Sequence, residues 1–203
     1  MPKIIATLIL SGISLISVAD PFAEKLVQAA IERTRHQIIY NGSYQKIAYP
    51  NGDVAADRGV CTDVIIRSYR KLGIDLQKDL HEDIRNHFDL YPSKRIWGHN
   101  KPDTNIDHRR VPNLQVFFSR KGQTLTISQN PEDYRPGDLV TWKLPGNLPH
   151  IGIVTDQIDP HSGNLMVVHN IGAGPQLDDS LFAFTLTGHY RYQKNDSDLK
   201  TTL

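Results

Sequence analysis

Cys61 is the single cysteine in a chain of 203 residues, and its surroundings suit nucleophilic chemistry. It stands between a turn-like segment that ends at Val60 and an apolar-periodic segment that begins at Thr62. This position predicts a thiol at the N-terminus of a helix. Unpaired backbone N–H groups there carry partial positive charge, which lowers the pKa of a thiol and favours the thiolate. Because a lone cysteine is more often a small buried apolar side chain, the hypothesis requires partners elsewhere.

Two of the nine histidines lie at the ends of apolar, strand-like runs. His150 precedes Ile-Gly-Ile-Val at 151–154, and His169 follows Leu-Met-Val-Val at 165–168. A turn near 162–163 would pair these strands as a hairpin and bring the two imidazoles together. Cysteine catalysis needs a base and a group that orients it, so Cys61, His150 and His169 are the predicted catalytic residues. Neighbours on a strand face opposite sides, so Asn170 is the alternative to His169 as the orienting residue.

A polar run at 105–110 supplies the predicted substrate-binding residues. The guanidinium groups of Arg109 and Arg110 could each bind a carboxylate at two points, and Asp107 could hold one of them. Asp63 could partner an arginine or cap the helix that starts at Cys61. A surface or salt-bridged arginine pair is the equally open alternative.

Periodicity divides the chain into helices first and strands afterwards. Helical spacing predicts helices from Asp20-Pro21 to about 34, over 62–72 and 79–90, and a short helix from Pro112, with a long loop over 91–110. Strand patterns follow at 125–127, 138–142, 151–155, 165–169 and 189–192. This order predicts an α+β domain, with N-terminal helices packed on a C-terminal antiparallel β-sheet.

The first nineteen residues have the pattern of an export signal. Lys3 precedes an uncharged stretch from 4 to 19 that is short for a membrane span and ends in a small-x-small site, Ser17-Val18-Ala19. We expect cleavage after Ala19, with an uncleaved anchor as the alternative, and one domain over 20–203. No stable membrane span is expected after cleavage. The mature chain would have no formal net charge, so no nucleic-acid partner is indicated.

The motif order resembles the NlpC-type cell-wall cysteine peptidases. Cys61 is followed by Pro-Gly-Asp-Leu-Val at 136–140, His-Ile-Gly-Ile-Val at 150–154 and Val-Val-His at 167–169. The resemblance implies a compact papain-like fold with Cys61 as nucleophile, His150 as base and His169 as the residue that orients it. Tyr49 and Gly52 match the family's Tyr-x-x-Gly segment, which lines the substrate groove. The match covers roughly 49–73 and 134–170.

Two features depart from the NlpC pattern. Val-Cys-Thr-Asp at 60–63 replaces the usual Asp-Cys-Ser-Gly, and a large insertion occupies about 74–133. The whole chain is also similar to an exported bacterial family of unknown function. The NlpC resemblance implies a periplasmic or secreted hydrolase that cleaves an amide bond in peptidoglycan peptides or muropeptides, without a cofactor or metal. Amidase and endopeptidase action are both open, and no protein partner is indicated.

Two alternatives belong to other functional classes. The first is a catalytically silent domain of the same fold that binds the cell wall or a partner. The second is a zinc site built from Cys61, His150 and His169, because cysteine and histidine are common zinc ligands.

Overall fold

The computed structural model describes residues 20–194 of the chain. The predicted signal peptide at 1–19, with its cleavage site at Ala19, lies outside the described residues. The first helix, α1 (Pro21–Arg33), begins as predicted. Asp20 caps it by accepting a hydrogen bond from the backbone N–H of Phe22 at 3.0 Å, and Pro21 occupies the first helical position.

Four more helices complete the helical layer of the described part of the chain. They are α2 (Cys61–Lys71), α3 (Leu76–Asn86), α4 (Ser93–Trp97) and α5 (Val111–Lys121). Helix α3 starts earlier than predicted because Asp75 caps it, accepting from the backbone N–H of Lys78 at 3.2 Å. Helix α4 lies in the segment predicted as loop, and the left-handed Gly98 ends it.

The strands form two sheets. A short parallel pair joins β1 (Ile39–Tyr40) to β2 (Arg58–Gly59), just before α2. The main antiparallel sheet contains β3 (Gln123–Thr124), β4 (Leu139–Leu144), β5 (Leu148–Ile158), β6 (Leu165–His169), β7 (Gln176–Asp178) and β8 (Thr185–Arg191). Their order is β3-β8-β4-β5-β6-β7. The mixed α+β class and the antiparallel sheet are therefore confirmed.

Strand boundaries differ from the prediction where tertiary pairing decides them. Strand β6 has the predicted bounds, whereas β5 extends further in both directions. Residues 125–127 do not form the predicted strand, although the backbone N–H of Leu125 donates to the carbonyl of His189 at 2.8 Å. Strand β7 was not predicted, because Gln176-Leu177-Asp178 has no β-branched or aromatic residue, and its pairing with β6 holds it extended.

The main sheet is covered on both faces. Helices pack on one face, where Ile65 of α2 meets Leu139 and Ile153 in one apolar cluster. The opposite face buries a second cluster that includes Val140, Trp142, Val154 and Val167. Alternate residues of β4 and β5 therefore enter different cores, as the two-residue period of a strand requires. Each fully buried aliphatic side chain contributes about 1.5–3 kcal/mol to stability.

The insertion at 74–133 packs into the same core as the rest of the chain. Leu80 and Ile84 of α3, together with Leu114, Phe117 and Phe118 of α5, join the cluster that contains Ile65. Within residues 20–194, no helix combines the length and apolarity that a membrane crossing needs.

Candidate functional site

Cys61 is the first residue of α2, as the sequence predicted. Its helix start is stabilised by Asp63, whose Oδ2 accepts from the backbone N–H of Val60 at 2.7 Å. Backbone N–H groups of Ile151, Thr62 and Cys61 itself lie near the sulfur and act to lower the pKa of the thiol. The thiol therefore sits where the N-terminus of α2 meets strand β5, beside the residue that follows His150.

Three neighbouring strands place an imidazole relay at the same end of the sheet. His150 on β5 approaches His169 on β6, with 3.1 Å between His150 Nε2 and His169 Nδ1. His169 Nε2 in turn lies 2.9 Å from Oδ1 of Asp178 on β7. The ring of Trp142 stacks on His150 with 5.6 Å between centroids, which restricts the orientation of His150. The fold thus brings the two predicted catalytic histidines together on the Trp142 face of the sheet, whereas Cys61 and α2 pack on the opposite face.

Burial sets the resting protonation of the thiol and the imidazole. Cys61 is 5% exposed, and burial raises its pKa from about 9 to about 12, although nearby backbone N–H groups act in the opposite direction. Burial, and then the neighbouring His169, lower the pKa of His150 to about 3. The expected lowering of the thiol pKa by the helix N-terminus is therefore wrong, because desolvation outweighs it. Both groups are neutral at rest.

The raised thiol pKa predicts slow alkylation of the folded protein. Iodoacetamide reacts with the thiolate, so its rate constant with Cys61 should rise about tenfold per pH unit between about pH 7 and 10. The same measurement in denaturing urea should show faster reaction and a plateau above the ordinary thiol pKa. A plateau near neutral pH in the folded protein would contradict the neutral resting pair.

Asp63 and Arg109 form a buried ion pair instead of an open substrate site. Arg109 Nε and Nη2 each lie 2.9 Å from an Asp63 carboxylate oxygen. The guanidinium also donates to the backbone carbonyls of Asn41 at 3.2 Å and Ser43 at 3.4 Å. The side chains of Arg109 and Asp63 are 2% and 4% exposed. The pair ties the start of α2 to the 41–43 segment, so these contacts are structural.

Asp107 and Arg110 lie in the neighbouring short turn. Asp107 is buried and accepts from the backbone N–H of Asp103 at 2.6 Å. Arg110 stacks its guanidinium over the ring of Trp97 at 3.9 Å and reaches His99 Nε2 at 3.0 Å. Of the two predicted arginines, Arg110 is the one whose guanidinium is not held in a two-point carboxylate pair.

Tyr49 and Asn170 lie apart from the histidine relay. Tyr49 packs edge-on against His81 of α3, with 5.0 Å between ring centroids. Asn170 follows His169 and faces the opposite side of the sheet, where it lines a cavity of about 10 Å³ with Val60 and Asp63. Its Nδ2 has no hydrogen-bond partner among residues 20–194. Between His169 and Asn170, only His169 contacts His150, as the strand argument anticipated.

Two residues beside the site were missed by sequence reasoning. Asp178 lies on the unpredicted edge strand β7, and no motif marks it. Tyr40 lies close enough to the thiol that Cys61 and Asp63, after burial, contribute to raising the pKa of Tyr40 to about 12. Tyr40, and not Tyr49, is therefore the tyrosine near Cys61. The parallel pairing of β1 with β2 positions Tyr40. No sequence pattern predicted this pairing, because the segment is rich in polar and turn residues.

The alternative zinc site is not assembled by these side chains. Across the described range 20–194, no three histidine, cysteine, aspartate or glutamate side chains converge in a way that could hold a metal ion. The facing nitrogens of His150 and His169 are directed at each other.

Comparison with known proteins identifies relatives that span most of the chain. Residues 27–192 match the model of the family described as a domain of unknown function, DUF1287. The chain is also 47% identical over 167 residues to the uncharacterized protein YijF of Escherichia coli (strain K12), which covers 82% of this chain and 80% of the relative. The predicted similarity to a family of unknown function is confirmed. The resemblance to the NlpC-type peptidases stays a prediction.

Proposed function

The chain belongs to the DUF1287 family, and we propose that it is an exported cysteine hydrolase, periplasmic or secreted, with an NlpC-like, papain-type arrangement of its site. Its substrate is an amide bond in peptidoglycan peptides. Cys61 is the nucleophile, His150 the general base, and His169 the residue that orients His150.

One observation carries this proposal. The thiol at the start of α2 lies against the backbone N–H of Ile151, and the adjacent His150 is hydrogen-bonded to His169 at 3.1 Å. A nucleophile, an imidazole base and a group that orients the base are the three parts of cysteine catalysis. They come from α2, β5 and β6, which places them on rigid elements of the fold.

The proposed reaction starts from the neutral pair. Since burial disfavours each isolated charge, His150 takes the proton of the Cys61 thiol as the sulfur attacks the amide carbonyl. The two groups lie on opposite faces of β5, so this step requires the start of α2 or the His150 side chain to move first. Backbone N–H groups of Cys61 and Thr62, which lie by the sulfur at the open end of α2, stabilise the oxyanion. His150 then protonates the leaving amine. Water, deprotonated by His150, hydrolyses the resulting thioester and frees the carboxylate product and the thiol.

Arg110 supports recognition of a peptide carboxylate. Stacking on Trp97 fixes the guanidinium plane, and a guanidinium in a fixed plane can bind a carboxylate at two points. Stem peptides of peptidoglycan present free carboxylates, which fits this side chain. Arg109 is excluded from this role because its guanidinium is already paired with the Asp63 carboxylate.

A muropeptide digest tests the proposal. Purified protein incubated with muropeptides should produce new amine termini, seen by mass spectrometry as fragments that together gain one water. The fragment masses separate amidase from endopeptidase action. A His150→Ala variant should lower kcat/KM by roughly 10²–10⁴-fold, because it removes the general base.

The matched control is His161→Ala, which removes an exposed imidazole from the β5–β6 turn. It should hydrolyse muropeptides as the wild type does. Equal hydrolysis by His150→Ala, or intact muropeptides after incubation with the wild type, would count against the proposed enzyme.

The silent binding domain is the second candidate. It is favoured by the near-complete burial of the site, since Cys61 is 5% and His150 2% exposed. Retention of intact muropeptides or a wall fragment by the protein, without new amine termini, would support this candidate instead.

A further inference from the structure

Asp178 ends the chain of hydrogen bonds that runs from His150 through His169. It lies on the edge strand β7, opposite Val167 of β6, and its Oδ1 is 2.9 Å from His169 Nε2. Its side chain is partly exposed. Partial burial alone would raise the pKa of this carboxyl group, but the hydrogen bond with His169 lowers it below its usual value. Asp178 is therefore an ionised group at neutral pH.

An ionised carboxylate accepts hydrogen bonds and cannot donate them. At 2.9 Å, His169 Nε2 must therefore carry the proton, because two facing acceptors would repel each other. When His169 is neutral, its Nδ1 is then an acceptor. Nδ1 of His169 lies 3.1 Å from His150 Nε2, so His150 Nε2 must be the donor. Neutral His150 thus keeps its lone pair on Nδ1.

We propose that Asp178 is a positioning residue that fixes the tautomers of both histidines, so that His150 donates from Nε2 and keeps Nδ1 as its acceptor. This inference rests on the proposed function for its catalytic consequence, but its statement about tautomers does not. Asp178 acts through His169 and does not touch the reacting atoms. The role resembles that of groups that fix the tautomer of metal-binding or catalytic histidines elsewhere.

The tautomers can be read directly by NMR of the full chain labelled with ¹⁵N, at about pH 8, where free imidazole is neutral. The wild type should show His169 and His150 both protonated at Nε2. An Asp178→Ala variant should give a mixture of tautomers at His169 and lose the hydrogen-bonded Nε2 proton signal. Asp178→Glu, which restores a carboxylate, should recover part of that signal.

The second test measures kcat and KM for muropeptide hydrolysis. Asp178→Ala should lower kcat by about 10–100-fold with KM within about twofold, a typical loss for a group that orients a catalytic ligand. Asp179→Ala is the matched control: it removes the adjacent carboxylate, which bonds Asn164 at 3.1 Å, and should leave kcat and both tautomers unchanged. Because Asp178 is partly exposed, its variants should remain folded by circular dichroism.

The outcomes separate this inference from the proposed function. A wild-type His169 protonated at Nδ1, or unchanged tautomers in Asp178→Ala, would overturn the role of Asp178 whatever the activity. If the wild type hydrolyses nothing but the tautomers shift in Asp178→Ala, the enzyme proposal fails and the assignment of Asp178 as the tautomer-fixing group stands.

Discussion

Cys61→Ala is expected to lower kcat for muropeptide hydrolysis by roughly 10⁴–10⁶-fold, the loss seen when a hydrolase loses its nucleophile. The sulfur is the only thiol in the chain, so no second cysteine can replace it. It also lies at the start of α2, beside the backbone N–H groups of Cys61 and Thr62. Initial rates from mass-spectrometric product counting on purified muropeptides would measure the loss.

Two variants control for folding. Cys61→Ser keeps the shape of the side chain but should also be inactive, since a hydroxyl is a much poorer nucleophile than a thiol in this setting. Ser68→Ala removes another small buried group from α2, which bonds the carbonyl of Val64 at 2.8 Å, and should retain turnover. Hydrolysis by Cys61→Ala at the wild-type rate would refute the nucleophile assignment.

Arg109→Ala is expected to lower the free energy of unfolding by about 3–5 kcal/mol, the usual effect of removing one partner from a buried ion pair. The change leaves the Asp63 carboxylate buried and without its two-point partner, and the carbonyls of Asn41 and Ser43 lose their donors. Urea denaturation followed by circular dichroism would measure the loss.

A double-mutant cycle with Asp63→Ala isolates the pair. The double variant should be less destabilised than the sum of the single changes, because removing both side chains leaves no unpaired buried charge. Arg95→Ala, which removes an exposed arginine from α4, should change the free energy of unfolding by no more than about 0.5 kcal/mol. An Arg109→Ala protein with unchanged stability and a raised KM would restore the predicted role of Arg109 in substrate binding.

Local sequence information was sufficient for the elements that carry the proposed chemistry. A turn followed by 3.6-residue periodicity placed Cys61 at the start of α2, and two apolar runs around a turn placed His150 and His169 on paired strands. These features depend on residues within one turn or one hairpin. They can be read without knowledge of the rest of the chain.

Distant contacts decided what the polar residues do. Asp63 and Arg109 are 46 residues apart, so their sequence types suggested a carboxylate-binding arginine while the fold made a buried pair. Similarly, Tyr49 fits the family motif by spacing, but the path of the 39–60 segment brings Tyr40 to the thiol instead. A side chain's partner depends on long-range packing, which no local pattern encodes.

The sequence by itself determined a helix-start thiol, two histidines on one hairpin and a mixed α+β class. Only the tertiary structure decided that Asp178 completes the relay and that the thiol and the base rest neutral. The physical reason is the same in both cases. Hydrogen-bond partners and desolvation depend on what the whole fold packs around a group, and burial outweighs the helix N-terminus that the sequence places beside Cys61.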